Sequence, residues 1–454
     1  DPTVRVRPQS FKRCIANLVG NATRHGDHVV VLGDHSDGHL TVIVDDAVIR
    51  KLHDPDALTE GSYSYREGTV HLWCPRGGDP SAHETGVLAY DRQRLVVVQG
   101  DWLILDGVMA RFSTGAGIAV TGRHCEVRNS EVKWSAGDGL RFYKPASNGR
   151  AVNNVVHDNF CANFARGARN SGWGYGLGTG AEVPDCEFIG NRSYRNSGEG
   201  LGCYNQSHST LMRNNTVYDN WSVNIYIDSA ADCLVDGNMV YNTGRVPEPN
   251  LRRSRPVGIM CADEVYRGGP YLKGLTVINN IVVSCQRGFS FSRWQSAMEG
   301  SVLKDSLIAN NTLADNDVGI SLAETLESTL IANNIVLQTN GKPCVNAPNG
   351  DVGAVNPQWR NNVFFGVEPG SFLWPKQALT FDEWLKTARN VAGCVWKDPK
   401  FLVGEGFEPR NYRLRRDSVC SDAGARVDGV GHDAAGTPRP RGKAIDIGAF
   451  EFAP

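Results

Sequence analysis

No Cys-x-x-Cys pair occurs anywhere in this 454-residue chain, although it carries 12 cysteines. That absence argues against zinc ribbons and thioredoxin-like redox sites. Cys125, Cys186 and Cys233 each lead an apolar-alternating segment (HCEV, DCEF, DCLV), so these thiols read as small hydrophobes inside the fold. Cys394 and Cys420 are the first pair to examine for a bridge. No run of about 18 apolar residues exists, which leaves no helix able to span a membrane. Charge of one sign is not in excess: the net formal charge is -2, with no footprint for nucleic acid. The chain opens at Asp1 with neither Met nor an apolar leader. This points to a mature protein, secreted or periplasmic, whose export signal has been removed.

Glycine is plentiful, at 50 residues, and asparagine recurs in register. A small or polar residue followed by two alternating apolar ones appears as Gly117-Ile118-Ala119-Val120, Gly139-Leu140-Arg141-Phe142 and Gly174-Tyr175-Gly176-Leu177. It continues as Gly200-Leu201-Gly202-Cys203, Asn224-Ile225-Tyr226-Ile227, Gly258-Ile259-Met260-Cys261, Gly288-Phe289-Ser290-Phe291 and Gly319-Ile320-Ser321-Leu322. A second pattern, Asn-Asn or Gly-Asn before apolar residues, falls between these copies from Asn153-Asn154 to Asn361-Asn362. The period is about 22 to 26 residues, stretching to about 30 to 35 where loops are inserted. Such a period means a solenoid. The LxxLxL core of leucine-rich repeats is missing, and alternating strands separated by Asn and Gly predict an all-β fold, a right-handed parallel β-helix with three sheets. Asn stacks at the turns because its amide can bond the Asn one coil above and below. The triplets at Asn191 and Asn220 therefore read as ladder residues, not glycosylation signals.

Three regions follow: a β-rich N-terminal cap over 1–100, the β-helix over 101–365, and a C-terminal cap over 366–454. In the first, a short helix is expected at Phe11–Leu18 and strands at Val29–Leu32, Leu40–Val44, Thr69–Trp73 and Leu95–Val98. In the last, Thr380-Phe381-Asp382-Glu383 is a capping box opening a short helix, and the tail Ala444–Phe452 reads as strand. Inserts at 147–175, 243–256 and 262–271 carry Arg150, Arg166, Arg169, Trp173, Arg245, Arg252, Arg253 and Arg255, and long loops of this kind wall binding surfaces.

The repeats, the segment Asp398-Pro399-Lys400-Phe401-Leu402 and the closing DIGAFEF resemble secreted bacterial right-handed parallel β-helix repeat proteins of the pectate-lyase-like superfamily. That resemblance implies the architecture. It spans polysaccharide lyases, glycoside hydrolases, uronan epimerases and phage tailspikes, so it does not specify a reaction. The NTD, DD, GHG and RIK set of polygalacturonases is not present in order, and the DPHD motif of alginate epimerases is missing. No catalytic set carries over.

The site is therefore sought in columns. Coils lie about 4.8 Å apart, and residues two and four steps past each leading Gly or Asn should face outward. One column holds Ala119, Arg141, Gly176, Gly202, Tyr226, Met260, Ser290 and Ser321; the other holds Thr121, Tyr143, Gly178, Tyr204, Asp228, Ala262 and Ser292. The adjoining turn carries Lys144, Asn205, Asp263, Arg293 and Glu324, with His208 and Trp294 beside it. Gly176, Gly178 and Gly202 are expected to leave a depression. Aromatic faces with interleaved charges suit a polysaccharide, an acidic one given the basic loops.

For a lyase or C5-epimerase, Asp228, Lys144, Tyr204, His208 and Asp263 are the catalytic candidates. Arg141, Tyr143, Asn205, Tyr226, Arg293, Trp294, Glu199 and Asp138 are the substrate-binding ones. Asp228 and Asp263 would hold Ca²⁺ if a metal is used. A glycoside hydrolase would instead use paired carboxylates: Asp228 with Asp263, or Asp138 with Glu199. A surface or adhesion protein without catalysis is the third class. No nucleic acid and no membrane span enter any of these readings.

Overall fold

In the computed structural model the described residues are 94–160, 174–247, 255–264, 271–291, 302–323, 325–348, 358–368, 370–375, 377–402 and 406–452, with shorter stretches between 40 and 89. The helix at Phe11–Leu18, the strand at Val29–Leu32, and Arg166, Arg169, Trp173, Arg252, Arg253, Ser292, Arg293, Trp294 and Glu324 lie outside them. Leu40–Val44 and Thr69–Trp73 are strands, as expected.

Three long sheets run side by side, of twelve, eleven and eleven strands among the described residues. Each coil adds one strand to each sheet, and strand pairing along the coils is parallel, from Val96–Val98 at one end to Val395–Trp396 at the other. Alternation explains the interior. Leu140, Leu177, Leu201, Ile225 and Ile259 stack in successive coils and are fully buried or nearly so. Cys125, Cys186 and Cys233 join them as buried free thiols. Cys394 and Cys420 are also free, and so make no bridge.

Asparagine sets the corner between the second and third sheets. The first residue of that two-residue turn has a left-handed backbone at Asn129, Asn153, Asn214, Asn279, Asn310, Asn333 and Asn361, and Gly occupies it at 190 and 237. These are the residue types that tolerate positive φ most cheaply. The second residue forms a buried amide ladder, Asn154–Asn191–Asn215–Asn238–Asn280–Asn311–Asn334–Asn362, each Nδ2 about 3.0 Å from the next Oδ1. Asn159, Asn196 and Asn220 make a second ladder at the next corner. Asn191 and Asn220 are thus ladder members, fully buried or nearly so.

The C-terminal region does two jobs. The helix Phe381–Thr387, opened by the Thr380–Glu383 capping box, seats Trp384 against Trp359 and Phe372 at the end of the coil. The following segment then runs back along the outside. Val427 and Val430 cover Ile278, Ala309 and Ala332 of the second sheet, and Phe450 covers Met239, Ile281 and Val283 of the third. The outward residues of these later coils are apolar for that reason, whereas those of earlier coils are charged pairs such as Glu126–Arg150–Glu187. Arg150 belongs to one of these strands (Arg150–Val152), not to an insert.

The tail Ala444–Phe452 is not a strand, contrary to its apolar alternation. Side chains satisfy its amides: Asp446 N–H donates to Glu451 Oε1 (3.0 Å), Glu451 N–H to Asp433 Oδ2 (3.0 Å) and Ala449 N–H to Thr312 Oγ1 (3.1 Å).

Candidate functional site

The first sheet departs from the three-residue strand of most coils along four consecutive strands. Tyr175–Ala181 has seven residues, and Glu199–Tyr204, Val223–Asp228 and Val257–Ala262 have six each. Their registers place Arg141, Gly178, Gly202, Tyr226 and Met260 on one outward column. Tyr204, Asp228 and Ala262 form another, and Tyr175 faces Glu199 at the strand start.

This register corrects the sequence expectation on one coil. In Gly174-Tyr175-Gly176-Leu177-Gly178 the glycine recurs every second residue, and the frame that fits the neighbours is two residues later than the one the motif suggests. Gly176 points inward, where a Cβ would lie 2.3 Å from Asn196 Nδ2. Tyr175, expected inside, stands outside. The outward glycines are Gly178 and Gly202, and they leave no open depression. A Cβ on Gly202 would lie 2.6 Å from Tyr175 Cε1, so the Tyr175 ring lies over it.

The band is correspondingly not an exposed groove. Glu199 is 0% exposed, Tyr175, Tyr226 and Asp228 2%, and Arg141 8%. Tyr175, Tyr226 and Met260 form an apolar layer of their own on the outside of the coil.

Several ionisable groups sit in that layer. Arg141 lies 4.7 Å from the Tyr175 ring, 5.5 Å from Tyr204 and 5.6 Å from Tyr143. Its Nη1 donates to Asp138 (3.1 Å) and its Nε to Thr179 O (3.2 Å). Tyr226 OH donates to Glu264 Oε1 at 2.5 Å. Glu264 N–H donates to Ser229 Oγ (2.8 Å), which lies 3.1 Å from Asp228 Oδ1. Among the described residues neither buried carboxyl oxygen of Glu199 has a hydrogen-bond partner.

Burial, then the Glu264 and Asp263 charges, pushes Asp228 up to about 8, against the pull of Ser229 and Arg141. Burial, with Glu264 and Asp228 adding, raises Glu199 well above the carboxylate range. Burial, then the Asp228 charge, also raises Tyr175 and Tyr226. Burying such groups costs free energy. The layer can supply two carboxylic acids that hold a proton at neutral pH, one guanidinium, and aromatic walls.

The residues expected from sequence divide sharply. Arg141, Tyr143, Glu199, Tyr204, Tyr226 and Asp228 converge here, and Asp138 supports them. Lys144 does not: it is exposed and paired with Glu182 at 2.5 Å. His208 is exposed at the corner between the first and second sheets, its Nδ1 3.2 Å from Ser209 Oγ. Asn205 occupies the turn after Tyr204, its N–H donating to Asp228 O. Asp263 Oδ1 accepts the Tyr271 and Leu272 N–H groups (2.9 and 3.2 Å), tying together the ends of an insert.

That engagement leaves Asp228 and Asp263 a poor fit to Ca²⁺, which takes six to eight oxygens. Among the described residues no three His, Cys, Asp or Glu side chains are arranged to hold a metal. Glu264 and Tyr175 escape the sequence reading. Glu264 lies just past a strand, where periodicity stops, and Tyr175 is hidden by the glycine frame.

Residues 174–336 match the family model described as a right handed beta helix region. With the three stacked parallel sheets, this match makes the fold a right-handed parallel β-helix. Among curated proteins it is similar to pectate lyase L of Dickeya dadantii (strain 3937), 24% identical over 230 residues, 50% of this chain and 51% of that protein. The chain therefore spans about half the length of this relative. Among solved structures it is similar to pectate lyase Pel9A, with a TM-score of 0.47 and 16% identity over 79% of this chain and 73% of that one. It is also similar to the periplasmic alginate epimerase AlgG, with a TM-score of 0.41 and 14% identity over 69% and 78%. No helix among the described residues is long and apolar enough to cross a membrane.

Proposed function

We propose that the chain is a polysaccharide-acting enzyme, a lyase or C5-epimerase on an acidic glycan, working outside the cytoplasm at the Glu199–Asp228 layer. One observation carries the reading: Glu199 is wholly buried on the outside of the coil, and among the described residues both its carboxyl oxygens lack a hydrogen-bond partner. The similarity to a pectate lyase supports the substrate class.

In the lyase reaction, Asp228 in its ionised form takes the proton next to the uronate carboxylate. The C–H electron pair becomes the new C=C bond, the glycosidic C–O bond breaks, and Glu199 gives its proton to the leaving oxygen. Arg141 pairs with the uronate carboxylate. In the epimerase variant the C–O bond stays intact and a proton returns to the opposite face. Substrate entry requires the buried face to open, and the Tyr226–Glu264 hydrogen bond is one contact across it.

Hydrolysis is the second reading, favoured by Asp228 standing as an acid beside the Glu264 carboxylate. Incubation with polygalacturonate, alginate and neutral glycans separates the readings. Ultraviolet absorbance of a new C=C bond marks a lyase. Inverted uronate without cleavage marks an epimerase, and reducing ends without absorbance mark a hydrolase. No change on any glycan, with Asp228→Asn as control, refutes all three on that panel.

A further inference from the structure

The sequence pairs Asp138 with Glu199 as the two carboxyls of a hydrolase, and by extension of the ladder both stand on one column with Tyr175 between them. The hydrogen bonds assign Asp138 differently. Its Oδ1 accepts the Tyr175 N–H (2.8 Å) and Arg141 Nη1 (3.2 Å). Its Oδ2 accepts the Tyr143 hydroxyl (2.6 Å) and Arg141 Nη1 (3.1 Å). Two oxygens taking these contacts have little capacity left for a glycosidic oxygen or an attacking water.

Arg141 is the reverse case. It is 8% exposed, with Nε spent on Thr179 O and Nη1 on Asp138, and among the described residues its Nη2 amino group donates to nothing. A nearly buried guanidinium with one unspent edge is a prepared donor for an oxyanion.

We infer that Asp138 is a positioning residue: it fixes Arg141 by Nη1 and Tyr175 by its backbone, so that Arg141 Nη2 faces the carboxylate of an acidic sugar. Tyr143, bonded to the same carboxylate, has its ring 5.6 Å from the Arg141 guanidinium and 4.4 Å from that of Arg94. The substrate part of this inference rests on the acidic-glycan reading above. The wiring rests on geometry alone.

A double-mutant cycle on polygalacturonate tests it. Asp138→Asn and Arg141→Gln should each lower kcat/KM by about 100-fold, the scale on which a misplaced group costs rate. The double variant should fall no further than the weaker single one, because Asp138 acts through Arg141. Independent roles would multiply to about 10,000-fold, and that result overturns the inference, as does an Asp138→Asn protein with wild-type kinetics. If Asp138→Asn does not fold, Asp138→Glu enters the same cycle.

If the wild-type protein is inert on every glycan, the functional reading fails and the wiring is judged by tyrosinate absorbance. Asp138 is one of the groups that raise Tyr143, after burial. Ionisation of a tyrosine at lower pH in Asp138→Asn supports the wiring, and an unchanged titration overturns it.

Discussion

Replacing Asp228 by Asn separates what this carboxyl does for chemistry from what it costs the fold. The side chain is 2% exposed, and burial with the Glu264 charge lifts it from 3.8 to about 8. A carboxyl whose folded value lies above its unfolded one binds its proton more tightly in the native state. Its contribution is therefore complete below about pH 4 and is lost as pH rises through about 8. Between about pH 5 and about pH 9 the loss runs only up to about pH 8, roughly three pH units worth roughly 4 kcal/mol at about 1.4 kcal/mol each.

Asn has the shape of the neutral acid and does not titrate. Urea unfolding across that range should show the wild-type protein losing roughly 4 kcal/mol more than Asp228→Asn, since all other groups are shared. The variant should be the more stable protein at alkaline pH and should convert no glycan, as expected when a site is held at the expense of stability. Stability curves that run parallel within about 1 kcal/mol would show that Asp228 carries no raised affinity for its proton and would refute the reasoning.

Three further outcomes follow from the packing. Asn215→Ala removes the amide that donates to Phe188 O and Asn238 Oδ1 and accepts from Asn191 N–H and Nδ2. It should cost roughly 3–5 kcal/mol in urea unfolding because several buried groups lose partners together. Arg439→Met leaves Glu451, 0% exposed, without its 2.7 Å partner; it should cost roughly 3–5 kcal/mol and free the segment after residue 401 to limited proteolysis. Gly202→Ala places a Cβ 2.4 Å from Tyr226 O as well as against Tyr175, so it should lower both thermal stability and turnover, measured by melting and by C=C absorbance.

The scaffold was legible because it is written in short-range periodicity. Every second residue of Leu201–Cys203 and Ile225–Ile227 is apolar, the corner Asn recurs where positive φ is cheapest, and Thr380–Glu383 is a local capping signal realised as a capping box. The candidate site was legible in part. Arg141, Tyr204, Tyr226 and Asp228 fell on the right columns because their coils follow the motif. Lys144 and His208 lie near those columns in sequence, but the turns carry them to solvent. Glu264 could not be found by columns, since it reaches Tyr226 from beyond the strand.

The repeat of Gly, Asn and alternating apolar residues determined by itself that this chain coils into stacked parallel sheets, because those signals act between neighbours in sequence and between identical positions one coil apart. Tertiary structure alone decided which frame the GYGLGTG segment takes, that the tail straps the flank of the coil, and that the outward band is buried. It also decided that Asp138 spends its oxygens on Arg141, Tyr143 and Tyr175 while, among the described residues, Glu199 keeps both of its own unspent. The Asp138–Tyr175 and Tyr226–Glu264 contacts join residues 37 and 38 positions apart, and no local pattern records their distances and charges.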